Sequence, residues 1–254
     1  MTNTVQIIIL AAGKGTRMKS ELPKVLIPLH GTPIIKHLLN TIESIEDKPF
    51  GAPYIVVGHG KEEVMAALGT QYNYVEQKEQ LGTGDAINSV KNSISDIAPN
   101  TLILYGDHPF VSAATIEKII NKKLESGKKI VMATVVLPDF EDWRKNFLGF
   151  SRVERDGNGK ILRTIENKDA TPEEKKITEV NPCYFCIDTK FLWEEIAKLK
   201  NDNAQHEYYL TDVFKIAVQE GVEIESIQIG AHEALGANSK EELETLETLT
   251  TNNN

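Results

Sequence analysis

Residues 5–18, VQIIILAAGKGTRM, decide how the rest of the chain is read. Positions 5–10 are nearly all apolar and rich in β-branched side chains, the composition of a strand covered on both faces. The run breaks after Leu10 into Ala11, Ala12 and Gly13, so a buried strand delivers a glycine-rich loop at its carboxyl end. Gly13 and Gly15 let the backbone come close to a ligand and bare its N–H groups, which suits phosphate oxygens. Arg17 and, after Leu22-Pro23, Lys24 place permanent positive charge around that loop. The spacing is not that of a Walker A loop, and Met18 stands where the dinucleotide fingerprint has its third glycine. The bland alternative is a tight turn flanked by solvated cations; G-x-G-T-R followed by P-K outweighs it.

Outward from this loop, strand-length apolar runs fall at 53–57, 101–105, 129–136, 150–155, 184–187 and 224–229. Helical periodicity falls between them, at 33–45, 61–68, 84–95, 113–125, 190–199 and 212–220. Strand then helix, repeated, predicts right-handed crossovers and a Rossmann-like α/β fold, a mostly parallel sheet flanked by helices. Ligands in such sheets lie beyond the carboxyl ends of the strands, so chemistry is expected after Leu10 and after Tyr105. Gly157-Asn158-Gly159 predicts a hairpin turn, since both residue types tolerate positive φ. Ser239 with Glu242 makes a capping-box pattern ahead of Leu243, Leu246 and Leu249, which predicts a final amphipathic helix and a frayed TNNN tail.

Composition narrows the function. The chain has 254 residues, with 28 Lys+Arg against 37 Asp+Glu for a net charge of −9. With 41% hydrophobic and 26% charged residues it matches an ordinary globular protein able to bury a core without staples. The acidic balance argues against a nucleic-acid partner. No segment approaches the ~20 apolar residues of a membrane span, and MTNTVQ lacks the basic region of a secretory signal. A cytoplasmic protein without a membrane partner is expected. Cys183 and Cys186 are the only cysteines, so there is no disulfide framework and a reducing compartment is expected. Their CxxC spacing gives neither four zinc ligands nor a redox pair at a helix start. CYFC reads as strand, with i and i+3 on opposite faces, and both thiols read as buried apolar groups. The six histidines are scattered and suggest no catalytic His or zinc site.

LAAGKGTRM (10–18) followed by LPK (22–24) resembles the signature of the sugar-phosphate nucleotidyltransferases. EQLGTG (79–84), LYGDHP (104–109), IENKDAT (165–171), NDNAQHEYYLTD (201–212) and LGAN (235–238) extend the likeness in the family's order. Together they resemble the uridylyltransferase domain found in bacterial bifunctional uridylyltransferase/acetyltransferases of amino-sugar phosphates. The resemblance implies the nucleotide-diphospho-sugar transferase fold and Mg²⁺-dependent joining of UTP and N-acetylglucosamine 1-phosphate, with release of pyrophosphate. A single nucleotidyltransferase domain is then expected over 1–238, with a nucleotide-binding half of about 1–110 and a sugar-binding half of about 111–238. A C-terminal helix and tail would occupy 239–254.

The same resemblance implies roles residue by residue. Leu10, Ala11, Ala12 and Gly13 would contact the nucleotide through their backbone, and Tyr105 and Gly106 would line its site. The Gly15 and Thr16 amides, Arg17 and Lys24 would stabilise phosphate charge. Gln77, Gly82 and Thr83 would read the uracil edge, an amide offering both donor and acceptor. Asp107 and Asn238 would hold the metal, with Asp107 counted among the catalytic residues beside Arg17 and Lys24. Ser151, Glu166, Asn181 and Tyr209 would meet the sugar. Read without the resemblance, Asp107 is a turn former, Asn238 a loop residue before a helix, and Glu166 a surface carboxylate.

Four departures fall in this pattern. Ser151 stands where the family normally has glycine, Pro182-Cys183 replaces Thr-Gly, His206 replaces glycine, and His108 replaces an apolar residue. Most lie on the sugar side, so another sugar 1-phosphate, another nucleotide, or a non-catalytic nucleotide-sugar sensor of the same fold stay open. Bifunctional relatives continue into a β-helix of hexapeptide repeats that carries the acetyltransferase. Residues 239–254 contain no such repeat, so any acetyl transfer is expected of a separate partner.

Overall fold

The computed structural model describes residues 4–94 and 98–251. The chain runs through β1 (Val5–Leu10), a ribbon of the two-residue strands β2 (Pro28–Leu29) and β3 (Thr32–Pro33), α1 (Ile34–Ser44), β4 (Tyr54–Val57) and α2 (Lys61–Leu68). It continues with β5 (Asn73–Glu76), α3 (Thr83–Val90) and β6 (Asn100–Tyr105). Then come α4 (Ala113–Ser126), β7 (Ile130–Val136), β8 (Ser151–Arg155), β9 (Ile161–Ile165), β10 (Glu179–Asn181) and β11 (Phe185–Asp188). The chain ends with α5 (Thr189–Ile196), α6 (Asp212–Gln219), β12 (Ile224–Gln228) and α7 (Lys240–Thr251).

Apart from the β2-β3 ribbon, the strands form one sheet in the order β5-β4-β1-β6-β11-β7-β10-β8-β9, with β12 also pairing β7. β5, β4, β1 and β6 are all parallel, and β12 is parallel to β7. β11 runs antiparallel to both β6 and β7, and the β10-β8-β9 extension is antiparallel throughout. The sheet is therefore mixed, with its parallel character concentrated around β1. The period of two sends Ile7 and Ile9 to one core with α1 and α4, and Ile8 and Leu10 to the other with α3, α5 and α6. Ile9 is fully buried; truncating it to Ala would cost about 2–5 kcal/mol.

Several boundaries moved for physical reasons. The helix expected over 84–95 stops at Val90, and its last residue, Ser95, lies outside the described residues, as do residues 252–254 of the tail. β5, β9 and β10 escaped the hydrophobic pattern because they are short and, in Asn73–Glu76 and Ile161–Ile165, half polar. CYFC is not one strand. Asn181 Oδ1 accepts from the Cys183 amide at 2.8 Å, Pro182 has no N–H for the ladder, and Cys183 sits at φ 66. The break separates β10 from β11, leaving Cys186 buried and Cys183 half-buried with its thiol against the core. The reading of both as buried apolar groups thus holds for Cys186 and only in part for Cys183. Both remain free thiols. Half of the expected capping box forms: Glu242 N donates to Ser239 Oγ at 3.2 Å, while the Glu242 carboxylate accepts from the Asn238 amide rather than that of Ser239. Leu246 of α7 is fully buried. Among the described residues no helix is long and apolar enough to cross a membrane.

Candidate active site

β1 ends level with its parallel neighbours, Leu10 registering with Val56 of β4 and Tyr105 of β6. The Ala11 amide donates to Val56 O and the Gly106 amide to Leu10 O, both at 2.9 Å, so the loops leaving the strands meet at one edge. A Cβ on Gly13 would meet nothing within 4 Å, so this bare backbone faces open space. Gly15 is different. Its φ is 59, and a Cβ there would lie 2.7 Å from Lys24 Cβ, so only glycine lets the loop close against the Leu22–Lys24 segment. A short 3₁₀ turn at Thr16–Met18 follows, with Met18 buried as an anchor and Arg17 exposed.

Two cavities open at this edge. The first, of about 480 Å³, is lined by Leu10, Ala11, Ala12, Gly13, Gly15, Thr16, Gln77, Gly82 and Thr83. The second, of about 430 Å³, is lined by Ser151, Glu166, Asn181 and Tyr209, with His108, Cys183 and Thr211. Arg17, Lys24, Tyr105, Asp107 and Asn238, together with Thr83 and Glu207, belong to both, so the cavities form one groove with these residues at the junction. Gly106 lines neither. A Cβ there would press on Ile35 Cδ1 at 3.1 Å and Leu10 O at 3.3 Å, so its want of a side chain serves packing.

At the junction Lys24 Nζ donates to Asp107 Oδ2 at 2.6 Å and to Asn238 Oδ1 at 3.0 Å. A carboxylate and an amide carbonyl thus converge on one point, now taken by an ammonium. Hard oxygen donors of this kind fit Mg²⁺, which keeps waters and substrate phosphates in its remaining positions. Among the described residues no group of three or more His, Cys, Asp or Glu could hold a metal. Asn238 is aimed by a helix cap: its own amide donates to Glu242 Oε2 at 2.7 Å, and Ala237 N donates to Asp107 O at 3.1 Å.

Electrostatics follow burial and partners. Burial alone would raise the Asp107 pKa, but the Lys24 charge and hydrogen bond, with His108 beside it, hold it below the usual carboxylate value. Burial lowers the His108 pKa against the pull of Asp107. Tyr184 Oη donates to Glu233 O at 2.8 Å, so it accepts from His108 Nδ1 at 3.0 Å, and the neutral ring keeps its proton on Nδ1.

In the first cavity Gln77 Nε2 donates to Gly82 O at 3.0 Å and to Asp85 Oδ2 at 2.8 Å. Both amide protons are engaged, which leaves Oε1 as the side chain's offer to a ligand. Thr83 Oγ1 accepts from Leu210 N at 3.0 Å, joining the two loops across the groove. In the second cavity Glu166 Oε1 accepts from Ser151 Oγ at 2.9 Å and Thr211 Oγ1 at 2.6 Å. These partners are neutral, so burial keeps the Glu166 pKa above its ordinary value, with Asp212 and Asp169 adding to the rise. Asn181 Nδ2 is buried with no hydrogen-bond partner among the described residues, an orphan donor in the wall of the cavity. Tyr209 Oη donates to Gln205 Oε1 at 3.1 Å. The departures at 183 and 206, where the resemblance expects glycine, both adopt left-handed backbone, at φ 66 and 56.

Sequence reasoning missed Thr211, which lies in the NDNAQHEYYLTD stretch (201–212) but was given no role, and Arg152, a cation in the strand between Ser151 and Val153. That interruption of an inward-facing strand was the available clue.

A bare glycine loop at the carboxyl edge of a parallel sheet, opening on cations and a convergent oxygen pair, defines a nucleotide-handling transferase of Rossmann-like architecture. The chain belongs to the MobA-like NTP transferase domain family, whose profile matches residues 7–210. It is 38% identical to the bifunctional protein GlmU of Brevibacillus brevis, over 96% of this chain and 51% of that protein. With the bifunctional protein GlmU of Burkholderia orbicola the identity is 40%, over 96% of this chain and 51% of that relative. The chain thus spans about half the length of the curated relatives it matches. A UDP-glucose pyrophosphorylase solved with UDP-glucose shares the fold at TM-score 0.73 and 16% identity, covering 100% of both chains. A putative glucose-1-phosphate thymidylyltransferase from Bacillus anthracis does so at TM-score 0.72 and 19% identity, covering 96% of this chain and 94% of that one. At those identities the likeness concerns the fold.

Proposed function

We propose that the chain joins UTP to N-acetylglucosamine 1-phosphate, giving UDP-N-acetylglucosamine and pyrophosphate. The observation that carries this reading is the placement of Lys24, Asp107 and Asn238 where the two cavities meet. A nucleotide in one cavity and a sugar phosphate in the other would bring the α-phosphorus and the attacking phosphate oxygen to that junction. The nucleophile is already an anion and needs no general base. The obstacle is repulsion between polyanions and charge growing on the leaving pyrophosphate, so positioning and electrostatic stabilisation must do the catalysis. The amides of residues 13–16 supply donors, and Arg17 and Lys24 supply positive charge. Asp107 and Asn238 would hold Mg²⁺, which when bound neutralises phosphate charge as a Lewis acid.

Gln77 supports the choice of base. With its donors engaged, Oε1 can accept the N3–H of uracil, whereas the N3 of cytosine is itself an acceptor. In the acceptor cavity Glu166 takes a donor and Asn181 Nδ2 gives one, a pair suited to sugar hydroxyls beside an acetamido group. The N-acetylated acceptor implies that an acetyl-transfer reaction precedes this one, and phosphorylated metabolites of this kind are those of the cytoplasm.

The test is pyrophosphate release over a grid of UTP, dTTP, CTP and GTP against several sugar 1-phosphates with Mg²⁺. UTP with N-acetylglucosamine 1-phosphate should lead the grid by at least ~10-fold in kcat/KM. A different leading sugar would keep the reaction and replace the acceptor. Binding of UDP-N-acetylglucosamine with no turnover of any pair would replace the enzyme with a sensor.

A further inference from the structure

We propose that Arg152 is a positioning residue for the acceptor: its buried guanidinium holds the 147–151 segment in the shape that walls the second cavity. The inference rests on the functional reading above and deepens it. Arg152 lies in β8 at 1% exposure, among the largest fully buried side chains of the protein. Among the described residues no carboxylate forms an ion pair with it. A buried cation is costly unless its donors are satisfied, and here backbone carbonyls satisfy them. Nη1 donates to Phe150 O and, at 3.5 Å, to Phe147 O; Nη2 donates to Leu148 O at 3.2 Å; Nε donates to Lys175 O at 3.4 Å. The ring of Phe140 covers the guanidinium, 4.7 Å from its centroid.

Phe147 and Leu148 belong to the last turn of the 3₁₀ segment Asp142–Gly149. Phe147 O accepts the turn's closing bond from the Phe150 amide at 3.0 Å. Carbonyls at such a terminus carry partial negative charge, so a cation gathered among Phe147, Leu148 and Phe150 fixes where the turn ends. What leaves that turn is the cavity wall. Gly149, Phe150 and Ser151 all line the acceptor cavity, while Arg152 does not. The Phe150 ring stacks on His108 with centroids 6.1 Å apart, and Ser151 Oγ donates to Glu166 Oε1. Moving the carbonyls that Arg152 grips would therefore shift both an aromatic wall and the aim of the buried carboxylate. No residue of 147–151 lines the nucleotide cavity, so the effect should be one-sided.

The experiment compares Arg152→Lys and Arg152→Met in the full chain, with both substrates varied. Lysine keeps the charge and loses the planar fork that spans several carbonyls. In Arg152→Lys the KM for the sugar 1-phosphate should rise ~10-fold, with the KM for UTP within about twofold of wild type and a smaller change in kcat. Arg152→Met should show a larger rise for the acceptor alone. In the reverse direction the KM for the nucleotide sugar should rise and that for pyrophosphate should not. Equal rises for both substrates, or an unchanged acceptor KM in a folded Arg152→Lys protein, would overturn the positioning role. Failure of both variants to fold would also overturn it, assigning Arg152 to stability alone. If instead the wild-type chain turns over no substrate pair, the functional reading fails before this inference is reached.

Discussion

The two ends of the groove are made of different materials. The end proposed for the nucleotide is backbone and exposed charge: a bare Gly13, an exposed Arg17 and an unbroken run from Leu10 to Met18. The acceptor end is buried side chain drawn from β8, the end of β9, the break between β10 and β11, and the loop before α6, with a carboxylate pinned by neutral hydroxyls. Amides and cations hold a polyanion by charge and tolerate small changes of shape. A buried, neutral sugar ring is selected by whether each fixed donor and acceptor finds its partner. Tolerance should therefore mark one end and specificity the other.

The largest effect is expected where the ends meet. Asp107→Ala should lower kcat by at least ~10²-fold, as for loss of one electrostatic element of a phosphoryl-transfer site. Full Mg²⁺-dependent turnover in that variant would take Asp107 out of the mechanism. Lys24→Met separates two roles of the ammonium. It should raise the KM for UTP ~10-fold, and it should tighten nucleotide-free Mn²⁺ binding, because Lys24 no longer holds the oxygens of Asp107 and Asn238. Calorimetric titration with Mn²⁺ checks this; an affinity equal to wild type would mean that the ammonium and the cation do not compete.

The same contrast explains what could be read from the sequence. Residues 5–18 are contiguous, so strand, loop and charge are visible together, and the parallel half of the sheet follows from alternation of strand and helix. The acceptor end has no such continuity. Glu166 meets Ser151 and Thr211 only because β8 and β9 pair and α6 packs behind them. The break at Pro182-Cys183 was hidden because CYFC has the composition of a strand. It takes the Asn181 side chain, turned back on the Cys183 amide, to end the ladder. The donor commitment of Gln77 was hidden too, since it depends on Asp85 one turn into α3.

A pH profile sharpens the contrast at intermediate cost. Burial raises the Glu166 pKa, so as pH falls the carboxylate is protonated at a higher pH than an ordinary glutamate. Below that pKa the acceptor KM should climb about tenfold per pH unit, whereas the KM for UTP should not follow Glu166. The acceptor phosphate itself titrates near pH ~6, so Glu166→Gln provides the reference. That variant should show a raised acceptor KM from which the Glu166 limb is missing, and identical profiles would dismiss the carboxylate from sugar binding.

The smallest effect concerns Cys183, and it separates strain from specificity. Burial pushes its thiol pKa up, so it is a poor nucleophile, and its importance lies in shape. At φ 66 any side chain pays a steric penalty that glycine avoids, roughly 1 kcal/mol net of the entropy glycine loses on folding. Cys183→Gly should therefore be more stable than Cys183→Ala by about 1 kcal/mol in denaturant titrations. Both variants remove the same sulfur, so contacts made by the thiol cancel in that difference. If glycine also admits sugar 1-phosphates that wild type rejects, while the KM for UTP stays fixed, then the strained residue is retained because its side chain narrows the acceptor cavity. Equal stabilities would show instead that the left-handed turn is set by Asn181 and Pro182 at no cost to residue 183.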